Sequence, residues 1–525
     1  MATGKVWAAV LVVAVASTPA FVASPTRGQA VASGVVFEDR NANGQRDAGE
    51  RGLGGVRVTN MRGFTRTDSQ GRWRLPATED TIFSVVKPAG WMTPVDADNV
   101  PRFFYIHKPA GSPTSKFPGV PRTGPLPTSI DFPLMRHEEP KKFSALFFGD
   151  TQPRDLREVD YLSRSVIEPL IGNREHQFGV TLGDVVFDDL SVTAPLVKAI
   201  GLIGIPWYYV LGNHDINLDA PDDERSDESF ERAFGPPFYS FDYGPTHFVV
   251  LDNVYWVGAK GEQRGAYHAE LGKQQLDWLR QDLEQVPQNQ LVVVMMHIPL
   301  NDLVEKEAVF RLLEKRPYAL SVSAHAHFQE HRFFTEKDGW KGSKPHHHLV
   351  TVTTCGSWWS GAPDALGVPH TTMRDGAPNG YAVFSFDGNQ YSIGFRAAGR
   401  PADYQMNIIA PSALALADVK GTKVYVNVFG GNERSRVEMR FGDGPWIPMR
   451  KVLEPDPAYR EAFLREATLV PPFRALPAPM DSPHLWMSAL PNVDQSGVYP
   501  VHVRTTDMFG QTAAATRAIR IGVVR

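Results

Sequence analysis

Five apolar runs in this chain each end in side chains that donate oxygen or nitrogen. Phe143 to Phe148 leads into Gly149-Asp150-Thr151-Gln152, and Phe178 to Leu182 into Gly183-Asp184. Trp207 to Leu211 leads into Gly212-Asn213-His214-Asp215, Leu291 to Met296 into His297, and Tyr318 to Ser323 into His325-Ala326-His327. Short apolar runs bounded by turn residues predict buried strands. Open α/β sheets bind ligands at the carboxyl ends of their strands. Asp, Asn, Gln and His without sulfur suit hard or borderline divalent metals. Alone, a His after a strand is ordinarily a hydrogen-bonded residue and a Gly-Asp a turn. Core packing gives no reason for every strand end to carry a metal-type side chain.

The elements that must position these residues follow from the rest of the chain. Its 525 residues are too many for one core and enough for three domains. Net charge is 54 minus 58, or −4, so no nucleic-acid footprint is indicated. The single cysteine, Cys355, excludes an intrachain disulfide, and its apolar surroundings predict a buried inert thiol. Lys5 and the apolar stretch Val6 to Ala16 have the form of a signal peptide, with Ala20, Ala23 and Ala30 as candidate cleavage positions. That stretch is short for a membrane anchor, and no later one could span a bilayer. The expectation is an exported bacterial protein, periplasmic or secreted, with no transmembrane segment in the mature chain.

Residues 1–30 are therefore assigned to the signal and cleavage region. Residues 31–90 predict a small β-sandwich, with strands near Val35-Val36-Phe37, Val56-Arg57-Val58 and Trp73-Arg74-Leu75 separated by Gly/Asp/Asn turns. Residues 91–140, rich in proline, predict an extended connector packed in part on a neighbour. Residues 141–403 alternate strand runs with helical spacing, as in Leu156, Val159, Leu162, Val166 and Leu170, and again in Leu271, Leu276, Leu279 and Leu283. This predicts a layered α/β core. Residues 404–525 mostly lose that pattern. Val424 to Val428, Val437 to Phe441 and Tyr499 to Thr505 predict a second β domain.

The order Asp150-Thr151-Gln152, Gly183-Asp184, Gly212-Asn213-His214-Asp215, His297, His325-Ala326-His327 resembles the calcineurin-like metallophosphoesterases. The arrangement with flanking β domains resembles the exported bacterial type. The resemblance implies a four-layer α/β sandwich and two divalent ions (Mn, Zn or Fe). One ion would take Asp150, Gln152, Asp184 and His327, and the other Asp184, Asn213, His297 and His325. It implies hydrolysis of a phosphate ester, mono or di, by a metal-bridging hydroxide, with a phosphate-ester substrate as partner. A shared carboxylate between two cations is also what charge requires. Gln152 stands where the family usually has His, and a neutral amide oxygen should hold its ion less tightly. Phe187 stands where purple acid phosphatases have a tyrosine ligand. His214 is left as proton donor to the leaving oxygen, its ring oriented by Asp215, Asp188 or Asp189. The alternative is a catalytically inactive surface or ligand-binding protein on the same fold.

Four further features stand outside that ligand set. Trp358 and Trp359 sit at a strand end, one expected in the core and the other as an apolar wall for the substrate. His346-His347-His348 on a strand cannot all converge; a strand start is expected, with one ring toward the cleft. The acidic run Asp222 to Glu228 is expected as a solvated helix start. Finally, residues 39–50 resemble part of the B-type repeats of Gram-positive surface adhesins. Asp39, Asn41, Asn43, the Gln45 carbonyl, Asp47 and Glu50 occupy positions 1, 3, 5, 7, 9 and 12 of a calcium loop, with Gly44 at 6. A polar hairpin is the competing reading.

Overall fold

The computed structural model describes residues 30–172, 174–258, 265–470 and 472–522. The run Val6 to Ala16, with Ala20 and Ala23, lies outside them. Among the described residues no helix is long and apolar enough to cross a membrane.

Two mixed sheets form the centre. In the first, Trp207–Val210, Gly179–Leu182 and Lys142–Phe148 run parallel, and Gly380–Asp387 and Gln390–Ala397 close the edge antiparallel. In the second, Thr246–Val250, Leu291–Met295, Ala319–Ser323 and His346–Val350 run parallel between the antiparallel edge strands Tyr239–Tyr243 and Glu330–Phe334. Parallel strands are buried on both faces, so their sequences are near-continuous apolar runs. Alternate residues take opposite faces: Phe147 packs inward on Phe384, centroids 4.0 Å apart, while Leu146 and Phe148 face outward with Leu162, Val166, Leu196 and Ile200. Phe178 and Phe248 join the inner faces edge-to-face at 5.2 Å. Helices Leu156–Leu162, Thr193–Gly201, Gly272–Glu284 and Lys306–Leu313 supply outer-layer contacts. The molecule is thus a mixed α/β core flanked by small β-sheet regions at both ends.

The N-terminal β region has two four-stranded sheets around Trp73, Phe83 and Phe132. The proline-rich stretch contributes to both: Phe104–His107 pairs with Thr81–Val85, and Phe132–Arg136 with Ala30–Glu38. This region is joined to the core by buried charge. Arg57 reaches Asp282 at 2.9 Å and Asp242 at 3.2 Å, and His247 lies between the same two carboxylates at 2.8 and 2.7 Å. Breaking a buried pair leaves an uncompensated charge, at a cost of about 3–5 kcal/mol.

The C-terminal β region also has two sheets, built on Val424, Val426, Met439, Trp486, Val501 and Ile519. It carries a helix, Pro457–Glu466, that the sequence reading did not single out. Asp456 caps it by accepting from the Tyr459 N–H, and Pro457 opens it.

Other departures are local. Of the helical positions read from Leu156 to Leu170, Leu156 is 63% exposed, and the chain passes from α-helix into a π-turn, Ser163–Ile167, and a 3₁₀ turn, Glu168–Leu170. The acidic run forms a 3₁₀ turn, Asp223–Arg225, before the helix Glu228–Phe234. The three consecutive histidines are buried in a strand and none turns its ring to the cleft. His346 and His348 share Ser321 at 2.8 Å each, while His347 bonds His331 at 2.9 Å and Tyr391 at 2.8 Å. Burial holds His346 and His331 neutral, with pKa values down at about 3.

Candidate metal centre

The carboxyl ends of the parallel strands bring the ligand-type residues together. Asp184, His297 and His325 each offer one donor atom, and these atoms lie within 4.8 Å of one another. His297 Nε2 is 3.2 Å from Asp184 Oδ1, 3.1 Å from Asn213 Oδ1 and 3.1 Å from His325 Nδ1. Asp150 Oδ1 is 4.0 Å from His297 Nε2, and the Asp150 carboxylate accepts the His325 N–H at 3.0 Å. Gln152 Nε2 donates to Asp184 Oδ2 at 2.7 Å. His327 and Gln152 meet at Cys355, whose sulfur is 3.9 Å from His327 Nδ1 and 3.6 Å from Gln152 Oε1.

Backbone carbonyls fix the imidazoles. A carbonyl only accepts, so His297 Nδ1 donates to Leu182 O at 2.9 Å and His327 Nδ1 donates to Gly356 O at 2.7 Å. In neutral rings each Nε2 is left with a lone pair. This is the outer-shell arrangement that orients metal-binding histidines. For His297 that lone pair faces the oxygens of Asp184 and Asn213, and acceptors so placed need a cation between them. With only a proton to fill that place, His297 is raised to about 9: burial lowers it, and the Asp184 carboxylate outweighs burial. Burial raises Asp150 to about 8; Asp184 is held below the usual carboxylate range because His297 and His214 outweigh its burial. Burial lowers His325 to about 4 and His327 to about 3, leaving both as neutral donors. The donor set therefore fits divalent metal.

The backbone is strained where these side chains emerge. Asp150, Gln152, Asp184, His325 and His327 have φ of 31°, 44°, 46°, 67° and 54°. Such residues cost about 1–3 kcal/mol each, persist only where the surroundings impose them, and cluster at functional sites. Gly183 and Gly212 permit the close approach. A Cβ on Gly183 would run into the His297 ring, and one on Gly212 into the Asp184 backbone.

Around this centre stand residues of different kinds. His214 Nδ1 lies 2.6 Å from Asp188 Oδ1, and its ring stacks on Phe187 at 4.2 Å. Of the three carboxylates expected beside His214, Asp188 is the one on its ring. Asp215 instead accepts the N–H groups of Val185, Val186 and Gly212 at 3.1, 3.0 and 2.9 Å, so it ties two ligand loops together. Asp189 accepts from Ser191. The tryptophans divide: Trp359 is buried with its indole N–H on Thr151 O, while Trp358 is partly open and stacks on His327 at 4.0 Å. Both have positive φ, 56° at Trp358 and 51° at Trp359.

Several contributors were not singled out in the sequence. Arg154 covers the Phe187 ring at 3.9 Å and donates to Trp358 O at 3.1 Å. Arg474, from the C-terminal region, donates to the same carbonyl at 2.7 Å. Tyr267 meets His325 edge-to-face at 6.1 Å. Arg154 sits two residues after Gln152, which is the only signal that could have found it. Arg474 and Tyr267 arrive through tertiary structure alone. Cys355 is buried as expected, but against ligand-type residues, and burial pushes its thiol well up.

Comparison with known families agrees with this geometry. Residues 143–329 match the calcineurin-like phosphoesterase model, residues 40–119 the N terminal of calcineurin-like phosphoesterase, and residues 348–512 the C terminal of calcineurin-like phosphoesterase. The chain carries the calcineurin-like phosphoesterase architecture, its N-terminal part, core and C-terminal part in order. With the Asp184, His297 and His325 triad, that defines a metal-dependent hydrolase. No curated protein matches the chain. Among solved structures, a purple acid phosphatase from yellow lupin (Lupinus luteus) seeds is similar at 11% identity and a TM-score of 0.35, over 65% of this chain and 66% of that one. CopC from Methylosinus trichosporium OB3b is similar at 12% identity and a TM-score of 0.14, over 22% of this chain and 93% of that one.

Proposed function

We propose that the protein hydrolyses a phosphate ester, mono or di, at a centre of two divalent ions that share Asp184. The observation that carries this is the division of the Asp184 carboxylate: Oδ1 faces His297 Nε2 at 3.2 Å, and Oδ2 faces Gln152 Nε2 at 2.7 Å. One ion would be held by Asp184, Asn213, His297 and His325, and the other by Asp150, Gln152, Asp184 and His327. Gln152 would present Oε1 after an amide flip, which hydrogen-bonding alone decides. The oxygen and nitrogen donors suit Mn, Zn or Fe. Such ions, when bound, supply Lewis-acid neutralisation of the phosphoryl oxygens and an activated water.

The chain's own residues do the rest. His214 is held by Asp188 through Nδ1, so Nε2 is the atom left to give a proton to the leaving oxygen. Phe187 and Arg154 stack behind that ring and keep it in place. Trp358 backs His327 and offers its remaining edge as an apolar wall for the leaving group. The site of action we place outside the cytoplasm, on the apolar stretch Val6 to Ala16; N-terminal sequencing of the protein recovered from its source tests that.

The deciding experiment assays a monoester and a diester side by side while bound metal is measured. Hydrolysis should follow metal content and vanish on stripping. Full-rate hydrolysis by stripped protein, or none of either ester at full metal loading, would overturn the proposal.

A further inference from the structure

The loop from Asp39 to Glu50 takes no part in that reaction, yet its side chains are arranged toward its own interior. We propose that it binds one calcium ion. Residues 1, 3, 5, 9 and 12 of the loop are Asp39, Asn41, Asn43, Asp47 and Glu50, position 7 offers the Gln45 carbonyl, and position 6 is Gly44. That is the donor spacing of a twelve-residue calcium loop, here set between a strand and a turn and not between helices.

Two independent observations point to a cation. Asp39 is 2% exposed; its Oδ2 accepts the Gly44 N–H at 2.8 Å, but its Oδ1 is buried with no hydrogen-bond partner. A buried polar atom left unpaired costs about 1–3 kcal/mol, and more when charged. A bound cation would supply the missing partner. The second observation is one of charge. Among the described residues no cationic side chain pairs with Asp39, Asp47 or Glu50. The neighbouring Arg40, Arg51 and Arg136 all turn to Glu38, at 3.7, 2.7 and 2.8 Å. Three carboxylates in one short loop are left without a counter-charge.

The remaining contacts fold the donors inward. Glu50 accepts the Arg40 N–H at 2.8 Å and the Asp47 N–H at 3.0 Å. Asp47 Oδ2 accepts from the Asn41 and Asn43 amides at 2.8 and 2.9 Å. Asn41 Oδ1 accepts from Asn43 N and Asn43 Oδ1 from Gln45 N, at 3.2 and 2.8 Å. Each oxygen keeps further acceptor capacity. An all-oxygen set in an irregular loop favours calcium over magnesium, which demands near-ideal octahedral geometry, and over transition metals. With three charged donors the affinity belongs to the extracellular range, Kd about 10⁻⁴–10⁻³ M. The ion would lock the end of strand Ala30–Glu38 onto Phe132–Arg136, where Asp39 N already donates to Leu134 O at 2.9 Å.

Limited trypsin digestion of the full chain tests this, with cuts after Arg40 and Arg46 mapped by mass spectrometry. Calcium at ten times its Kd should slow those cuts about tenfold relative to chelator, by mass action on the open loop. Magnesium at the same level should not. The protection should persist in Asp184→Asn, which separates it from the hydrolytic metals, and disappear in Asp39→Asn/Glu50→Gln, which should hydrolyse phosphate esters as the parent chain does. Equal cutting with calcium and chelator, or protection that survives the double substitution, would overturn the proposal. Equilibrium dialysis with calcium alone on Asp184→Asn keeps the question decidable if the double variant fails to fold: one ion per chain is expected, and none would end it.

Discussion

Asp188 Oδ1 lies 2.6 Å from His214 Nδ1, and Phe187, the residue just before that aspartate, stacks on the imidazole it helps to hold. The ring is braced by one hydrogen bond and one face, with its other nitrogen uncommitted. As a proton donor and not a ligand, His214→Ala should keep bound metal while the rate drops roughly 10²–10⁴-fold. The drop should shrink for esters with good leaving groups, because these need less protonation. Asp188→Asn should show the same leaving-group dependence in weaker form. Metal analysis beside a series of aryl phosphates checks both; loss of metal in His214→Ala would show the role is wrong.

Asp184 is fully buried between His297 and Gln152, and its charge is the one both ions would share. Asp184→Asn should therefore lose metal and hydrolysis together. Inductively coupled plasma measurement and a phosphate-release assay on one preparation decide it. Normal metal content with normal turnover would remove the shared-carboxylate reading.

Gln152 gives its ion a neutral amide oxygen where an imidazole would bind more tightly. Titrating metal into stripped protein should reveal two unequal affinities, and Gln152→His should raise the weaker one. Two equal sites in the native chain would contradict this.

The Arg57, Asp242, Asp282 and His247 cluster makes a pH-dependent joint between the N-terminal β region and the core. Burial lowers the His247 pKa, but the Asp282 and Asp242 carboxylates outweigh it, so the value is raised above the ordinary 6.5. A raised folded value means the contribution is complete below pH 6.5 and is lost as pH climbs through the folded pKa. Denaturant unfolding should show lower stability at about pH 9 than at about pH 6, and His247→Gln should flatten that difference. Arg57→Met should destabilise by about 3–5 kcal/mol, because the buried carboxylates of Asp282 and Asp242 are left with His247 alone to offset their charge. An unchanged midpoint in Arg57→Met would show that the joint carries little energy.

The parts of this molecule written in the sequence are those with a short-range signature. Parallel strands buried on both faces leave unbroken apolar runs, so Leu291–Met295 and Ala319–Ser323 were legible with their terminal histidines. The antiparallel strand Gly380–Asp387 is also an apolar run, Tyr381 to Phe386, but no local pattern says that it completes the first sheet beside Lys142–Phe148. Trp358 and Trp359 were legible as a pair, but which would be buried depends on the backbone turn at φ near 50° that separates them. Arg474 lies 116 positions from the carbonyl it binds, and no local pattern could announce it. The proline-rich stretch was misleading in a specific way. Proline favours extended backbone, and an extended segment becomes a strand wherever a neighbouring edge accepts it, as Phe132–Arg136 does beside Ala30–Glu38.

Two arginines from different parts of the chain, Arg154 and Arg474, hold one acceptor, the carbonyl of Trp358, while that residue's ring rests on His327. Trp358 is thus hung on a bracket with one arm in the α/β core and the other in the C-terminal region. The terminal β region acts as a gauge for the opening, because any shift in how it seats on the core reaches the tryptophan through Arg474. Exchange of that region between related chains should accordingly change the opening over the centre while the donor residues of the core stay the same.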